Sequence, residues 1–447
     1  MKKILLGVLL ASTAMSAQAA DLAVKAPYYK APVATVYDWT GFYLGVNAGV
    51  GLGRNRTQNY GNALAETSTY VSPLGGLGGA QIGYNWQTNG SFLGPIVFGV
   101  EADIQGSDLS DGYPNLGGVV QYNQKIDWFG TVRGRVGLAT GPVLTYLTAG
   151  YAYGNVNTTV TEGGVGSSIN GGRSGWTWGS GVEAALGGNW TAKIEYLWLD
   201  LGDRTDGLAF AGQSLRSELR ENIFRVGLNY RIGGNSVYAP VAAANWAGLY
   251  LGGNLGSGTG RDRSSLVSGG AAPTAFLNTS PDGINGGVQA GYNWQAGNWV
   301  YGLETDIQGS AQEDNKTYAL APGAALNVNS KLPWFGTVRG RFGYSIGSSL
   351  FYATGGFAYG NVKTDINSVN VSQTQTGWTV GAGIETPFTF LGLFGPNWTT
   401  KTEYLYVDLG RSTNDFGAAG VFTTDVREHI FRTGLNYHFN TPVVAKY

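Results

Sequence analysis

The sequence predicts an all-β fold of antiparallel transmembrane strands closed into barrels, and three observations predict it. Strand-length segments alternate at period two, with the charges of each segment on one face. Long polar links alternate with short ones along the chain. Aromatic residues gather at both ends of the segments. The stretch WFGTVRGR at residues 128–135, repeated unchanged at 334–341, shows the first of these in miniature. Trp128, Gly130, Val132 and Gly134 take one face, while Phe129, Thr131, Arg133 and Arg135 take the other. In a water-soluble sheet the charged face would meet water. Here Asp, Glu, Lys and Arg together make up 13% of the chain, about half the usual share of a soluble domain, and the reverse arrangement is expected.

Length and composition narrow the class further. At 447 residues the chain exceeds one usual domain. A net charge of -1 gives no support to a nucleic-acid partner. Without cysteine there is no disulfide framework, thiolate nucleophile or cysteine metal site, and His429 and His438 are the two histidines. No cofactor or metal is expected. Lys2 and Lys3 precede an apolar run at 4–11, and Ala17-Gln18-Ala19 supplies small residues for cleavage, so residues 1–19 read as a signal peptide. Residues 20–38, with Pro27, Pro32 and adjacent tyrosines, read as a periplasmic leader. No later stretch offers about 20 uninterrupted apolar residues. Spanning helices are thereby excluded, and an exported chain of this kind is periplasmic, secreted or an outer-membrane barrel.

The body of the chain is a tandem duplication. GFYLGVNAG (41–49) returns as GLYLGGNLG (248–256), EADIQGS (101–107) as ETDIQGS (304–310), and KIEYLWLDLG (193–202) as KTEYLYVDLG (401–410). IGYNWQ (82–87) returns as AGYNWQ (290–295), YAYGNV (151–156) as FAYGNV (357–362), and IFRVGLNY (223–230) as IFRTGLNY (430–437). The boundaries expected are a first unit at 39–232, a linker at 233–245, a second unit at 246–439 and a tail at 440–447. Within the first unit eight strands are predicted near 41–54, 76–86, 96–107, 125–138, 143–156, 174–185, 189–201 and 222–232. The polar stretches 55–72, 108–123, 157–173 and 202–217 are expected to be solvated external loops. Links near 88–95, 140–142 and 186–188 are short, as periplasmic turns of a membrane barrel are.

Charge placement assigns the faces. On the first strand Leu44, Val46, Ala48, Val50 and Leu52 share a face, and Tyr43, Gly45, Asn47, Gly49 and Gly51 the other, which suits a narrow lumen. A charge facing lipid near the midplane costs about 2 to 4 kcal/mol. Glu101, Asp103, Arg133, Arg135, Lys193, Glu195 and Arg225 are therefore expected to point inward. Their counterparts are Glu304, Asp306, Arg339, Arg341, Lys401, Glu403 and Arg432. The plain reading is ion pairs filling a narrow core; the alternative is a gate or selectivity filter. Trp39, Tyr84, Trp86, Trp190 and Tyr230 are expected at the inner rim. Trp128, Trp176, Trp178, Trp198 and Phe224 are expected at the outer rim, as the two aromatic girdles of a barrel require.

With DWTGFYLGVNAG, GYNWQ, the G-x-E-x-D strand, WFGTVRGR, EYLWLDLG and the closing RVGLNYRI on the page, the sequence resembles the small OmpA-like outer-membrane β-barrel family of alphaproteobacteria, the porin-family surface antigens. The resemblance covers nearly the whole mature chain, twice. It implies eight-stranded barrels in the Gram-negative outer membrane, in contact with outer-membrane lipid and lipopolysaccharide, inserted by the barrel-assembly machinery, with a structural or surface role rather than an enzymatic one. The duplication and the tail beyond Phe439 depart from the family pattern.

Two architectures fit the duplication. Each unit closing on itself gives two eight-stranded barrels filled by side chains; pairing across the units gives one sixteen-stranded barrel with an aqueous channel. The linker favours the first, being longer than a hairpin needs and similar to the leader at 31–38. The functions that follow are an envelope or surface role, or a porin-type passage for small hydrophilic solutes. A loop-borne adhesin role has no motif to support it. Catalysis is not expected: the first unit has no histidine, and His429 and His438 are nine residues apart on opposite faces.

Overall fold

The computed structural model describes residues 37–61, 68–89, 91, 94–114, 120–233, 244–267, 276–321, 324–388 and 394–439. The signal segment, most of the leader and the linker, and the tail lie outside them. In the first unit the strands are β1 (Gly41–Gly53), β2 (Asn55–Tyr60), β3 (Ser68–Val71), β4 (Leu74–Thr88), β5 (Ile96–Pro114), β6 (Val120–Thr140), β7 (Val143–Glu162), β8 (Val165–Gly187), β9 (Trp190–Gly207) and β10 (Ser214–Ile232). In the second they are β11 (Gly248–Gly260), β12 (Asp262–Val267), β13 (Phe276–Thr279), β14 (Asp282–Ala296), β15 (Trp299–Ala321), β16 (Ala324–Ile346), β17 (Ser349–Ile366), β18 (Val369–Pro387), β19 (Trp398–Asp415) and β20 (Val421–His438).

Each unit closes on itself. Antiparallel neighbours run β1-β4-β5-β6-β7-β8-β9-β10, and β10 returns to pair with β1, from Phe42 opposite Ile232 to Gly53 opposite Glu221. The second ring repeats this with β20 against β11. The sixteen-stranded alternative is therefore not adopted: β10 takes β1 as its neighbour rather than β11. Closure is local because each unit carries a complete set of eight alternating strands, and a closed ring leaves no unpaired edge in lipid.

The period-two reading places the faces. Val46, Ile104, Val132 and Leu147 point outward and are half or more exposed, as a lipid-facing band requires. Tyr43, Asn47, Phe129, Thr131 and Arg133 point inward and are buried. Glycine serves the inward face by absence. A Cβ on Gly83 would overlap the Tyr43 ring, and Gly291 leaves the same room for Tyr250. The turn between β6 and β7 is closed by Gly141 at φ +63°, a left-handed conformation glycine adopts without strain.

The four polar stretches are corrected by the structure. They are largely not loops: β5 to β8 run 19 to 23 residues, about twice the 9–11 that cross a membrane. The extra length stands beyond the outer girdle as a strand-built extension, and β2 and β3 add a hairpin to it by pairing with β10 and with each other. The period-two reading continues into β7 beyond the girdle, with Val156, Thr158 and Val160 all buried on the inner side. A second correction concerns parity. A bulge between Ile126 and Trp128 shifts the register of β6. Ile126 is buried while Trp128 is partly exposed, although the two are two residues apart.

Two rim assignments also change. Trp39 is 1% exposed and lies in an apolar cluster with Tyr37, Val97, Leu144 and Tyr146, its indole N–H donating to the Gly141 carbonyl at 3.1 Å. It closes the periplasmic mouth instead of joining the girdle, because it precedes β1 and the chain folds it under the barrel. Phe224 keeps outward parity yet is covered, as is Leu52 of the face read as lipid-facing. Trp86, Trp190, Tyr230, Trp128, Trp176 and Trp178 remain exposed at the two rims.

Candidate functional site in the barrel interiors

Five strands of the first ring bring charge to one level of the interior. β5 carries Glu101 and Asp103, β6 Arg133 and Arg135, β8 Glu183, β9 Lys193 and Glu195, and β10 Arg225. Lys193 Nζ lies 2.9 Å from both oxygens of Glu101, which also accepts from the Tyr43 hydroxyl at 2.8 Å and from Arg133. Asp103 Oδ2 accepts from Arg133 at 2.8 Å, Arg225 at 2.9 Å and the Thr131 hydroxyl at 2.8 Å. Glu195 accepts from Arg225 Nε at 2.6 Å, Arg133 at 3.1 Å and the Tyr146 hydroxyl at 2.8 Å. Arg135 donates to Glu183 at 3.0 Å and to Asn85 at 2.9 Å, and its guanidinium stacks over the Tyr43 and Tyr146 rings.

The second ring repeats the arrangement. Lys401 Nζ lies 2.9 Å from both Glu304 oxygens, Arg339 and Arg432 share Asp306 Oδ2 at 3.0 and 2.8 Å, and Arg432 Nε donates to Glu403 at 2.7 Å. Arg341 donates to Glu385 at 2.7 Å. All fourteen charges singled out in the sequence lie at these two levels, and none is more than 4% exposed.

The sequence set omitted a member. Its seven first-unit residues hold three carboxylates against four cations, an imbalance that a buried cluster cannot easily hold. Glu183 supplies the fourth carboxylate, and Glu385 does so in the second unit. The signal was available: SGVEAA and AGIETP align, and each glutamate has inward parity with the glycines before it.

Other layers close the interior above and below. Beyond the charges, Leu109, Phe129, Leu197, Leu199 and Ile223 form an apolar layer inside the first barrel, and Phe335, Leu405, Val407 and Ile430 do so inside the second. Beneath them, Trp39 in the first unit and Trp246 in the second plug the periplasmic mouths; Trp246 donates to the Ser345 hydroxyl at 3.0 Å.

The histidines do not meet. His438 faces inward at the periplasmic end, 3.1 Å from Glu385. His429 keeps outward parity and accepts or donates to the Tyr404 hydroxyl at 2.7 Å. Among the described residues no group of three or more His, Cys, Asp or Glu is placed to hold a metal ion.

Comparison with known proteins agrees with this architecture. The chain is 39% identical over 249 residues to the 31 kDa outer-membrane immunogenic protein of Brucella melitensis, a match covering 52% of this chain and all of that protein. It is 35% identical over 206 residues to the 22 kDa outer membrane protein of Rhizobium leguminosarum, covering 45% of this chain and 82% of that one. Each relative thus spans about half of the chain, as one unit of a duplication would. Among solved structures, Neisserial surface protein A aligns with 43% of this chain and 98% of its own at 14% identity and a TM-score of 0.26. The family described as outer membrane protein beta-barrel domain matches twice, over residues 7–231 and 232–439, and the chain belongs to that family as a tandem pair located in the outer membrane.

Proposed function

We propose that the chain is a structural, non-conducting barrel pair that anchors a strand-built head at the cell surface. The observation that carries this reading is the contact of Lys193 with Glu101 across the full width of the first barrel, repeated by Lys401 and Glu304 in the second. An eight-stranded barrel is just wide enough for its side chains to fill. Apolar layers above the charges and tryptophans below them add further barriers.

A porin-type passage needs an aqueous bore, and these stacked layers argue against one. The two hydroxyl–histidine contacts, Thr399 with His438 at 3.2 Å and Tyr404 with His429 at 2.7 Å, involve buried histidines and have no counterpart in the first unit, which carries Arg231 and Asn222 there, so the reading contains no catalytic step. The exposed aliphatic band and the aromatic rims suit outer-membrane lipid, with lipopolysaccharide in the outer leaflet and the barrel-assembly machinery as the route of insertion.

Planar-bilayer recording of the refolded full-length protein tests the reading. No steady porin-sized current steps are expected. Large, steady steps from protein shown to be folded would overturn it.

A further inference from the structure

Outward residues on most of the first ring are exposed, but a patch on β8, β9 and β10 is not. Val182, Ala184, Ile194 and Phe224 keep lipid-facing parity yet are at most 4% exposed. What covers them is the matching face of the second unit, including Ile384 and Phe431.

The contacts come in mirrored pairs. Tyr196 stacks on Phe431 with ring centroids 5.4 Å apart, and their counterparts Tyr404 and Phe224 meet at 4.9 Å. Within the units, the Tyr196 hydroxyl donates to Asn222 at 2.7 Å, and Tyr404 pairs with His429, the residue matching Asn222, at 2.7 Å. Phe224 and Phe431, equivalent to each other, lie 6.2 Å apart.

The external extensions repeat the pattern. Arg54 of the first unit donates to Asp314 of the second at 2.7 Å, and Arg261 of the second donates to Asp111 of the first at 2.9 Å. Arg54 matches Arg261, and Asp111 matches Asp314. Ser72 and Ser280, also equivalent, touch Oγ to Oγ at 2.5 Å. Each of these serines donates its backbone N–H to its own unit's aspartate, Asp111 or Asp314, so the aspartate that receives the arginine is fixed in place. One apolar cluster runs through both extensions, taking Val71, Tyr122 and Leu215 from one and Leu277, Tyr318 and Phe422 from the other.

When residue i meets j and the equivalent of j meets the equivalent of i, the surface is self-complementary, the signature of a two-fold interface. Residues on the axis must then meet their own equivalents, as Ser72 and Phe224 do. In both sets each residue meets one at the matching level of the other unit, so the pseudo-two-fold stands along the membrane normal and both units enter the membrane in the same sense. In lipid, apolar area alone gives little drive to associate. Ring packing and the crossed arginine–aspartate pairs supply the specificity.

We infer that the face built by β8, β9 and β10, continued by the β2–β3 hairpin, is a docking surface whose partner is a second copy of the same unit. In this chain the duplication fills that surface internally, making the protein a covalent pseudo-dimer with one composite external head. The copies have also diverged at the contact. Arg54 gains a second aspartate, Asp282, at 2.6 Å, where the first unit has Leu74, and Arg261 instead donates to the Ser72 carbonyl at 3.0 Å. The interface therefore distinguishes its two halves.

The test uses the full chain with a protease site inserted within residues 234–243 and an affinity tag on the second unit. After cleavage in mild detergent, the untagged half is expected to stay bound, and to be released when Arg54 and Arg261 are both changed to Ala. In a second form carrying Ser72→Cys and Ser280→Cys, in a chain that otherwise lacks cysteine, oxidation in the membrane should join the cleaved halves into one band that splits on reduction. Halves that separate on cleavage, or folded double-cysteine protein whose halves remain unlinked, would overturn the inference.

Discussion

Glu101 and Lys193 stand on opposite walls of the first barrel, β5 and β9, four strands apart in a ring of eight, and their side chains meet at 2.9 Å. A ring whose opposite walls touch has no bore at that level. The same contact ties the two walls together, so it bears on stability as well as on conduction.

Removing one partner should be costly. Glu101→Gln leaves Lys193 and Arg133 buried with reduced compensation, and a loss of about 3 to 5 kcal/mol is expected. Adding Lys193→Met should restore part of the loss, giving a coupling energy of about 0.5 to 3 kcal/mol in a double-mutant cycle. Urea unfolding in lipid vesicles, followed by tryptophan fluorescence and by the gel shift between folded and heated protein, measures both. Additive losses would contradict the pairing.

Glu183 provides a separate check of the charge balance. Glu183→Gln removes the anion facing Arg135, leaves the Asn229 bond weakened, and is expected to cost about 3 kcal/mol or more by the same assay. Were the sequence-named residues the whole network, the substitution would be close to neutral.

The periplasmic plug separates two tryptophans that look alike in the sequence. Trp39→Ala empties a fully buried site and should cost about 3 to 5 kcal/mol. Trp86→Ala, at a rim position 48% exposed, should cost clearly less. Equal effects would place Trp39 in the girdle after all.

A pH dependence is expected in the second unit's extension. Asp262 lies beyond the outer girdle, accepting from Ser330, four residues from Trp334, at 2.8 Å. Burial pushes its carboxyl up to about 7, with Asp314 adding to the rise and Lys316 opposing it. The folded state thus holds a proton that the unfolded chain releases near its ordinary value of about 4. The associated stability is full below that value and is lost as pH rises toward about 7, by at most about 1.4 kcal/mol per pH unit. The first unit carries Asn55 at the matching position, where the amide donates to Gln124 and Glu221. Asp262→Asn is expected to make the dependence between those limits shallower in unfolding measurements across pH; an unchanged slope would contradict the assignment.

Strand periodicity made the membrane-crossing part of the fold legible, because lipid outside and charge inside force period-two alternation. Arg133, Glu101 and Lys193 could be placed on the inner wall from parity alone. The extensions were harder to read. Beyond the girdle both faces are polar or mixed, and the bulge beside Asp127 exchanges the faces of β6, so Ile126 and Trp128 point apart despite their spacing. Trp39 was misplaced because an aromatic before a strand can pack under a barrel as readily as beside it. The covering of Phe224 depends on a partner surface, which its own strand's pattern cannot reveal.

The central claim is that each unit closes its own ring, and one pair of cross-links tests it directly. Val46 lies opposite Leu228 on β1 and β10, and the second unit's Leu435 lies opposite Gly253, the residue matching Val46. In a sixteen-stranded barrel β1 would pair with β20, placing Val46 opposite Leu435 instead. Directly opposed strand residues are close enough to be joined. Two separate rings require oxidation to link Val46→Cys with Leu228→Cys and to leave Val46→Cys with Leu435→Cys unlinked within the chain. The opposite outcome would mean one wide barrel, and with it a channel.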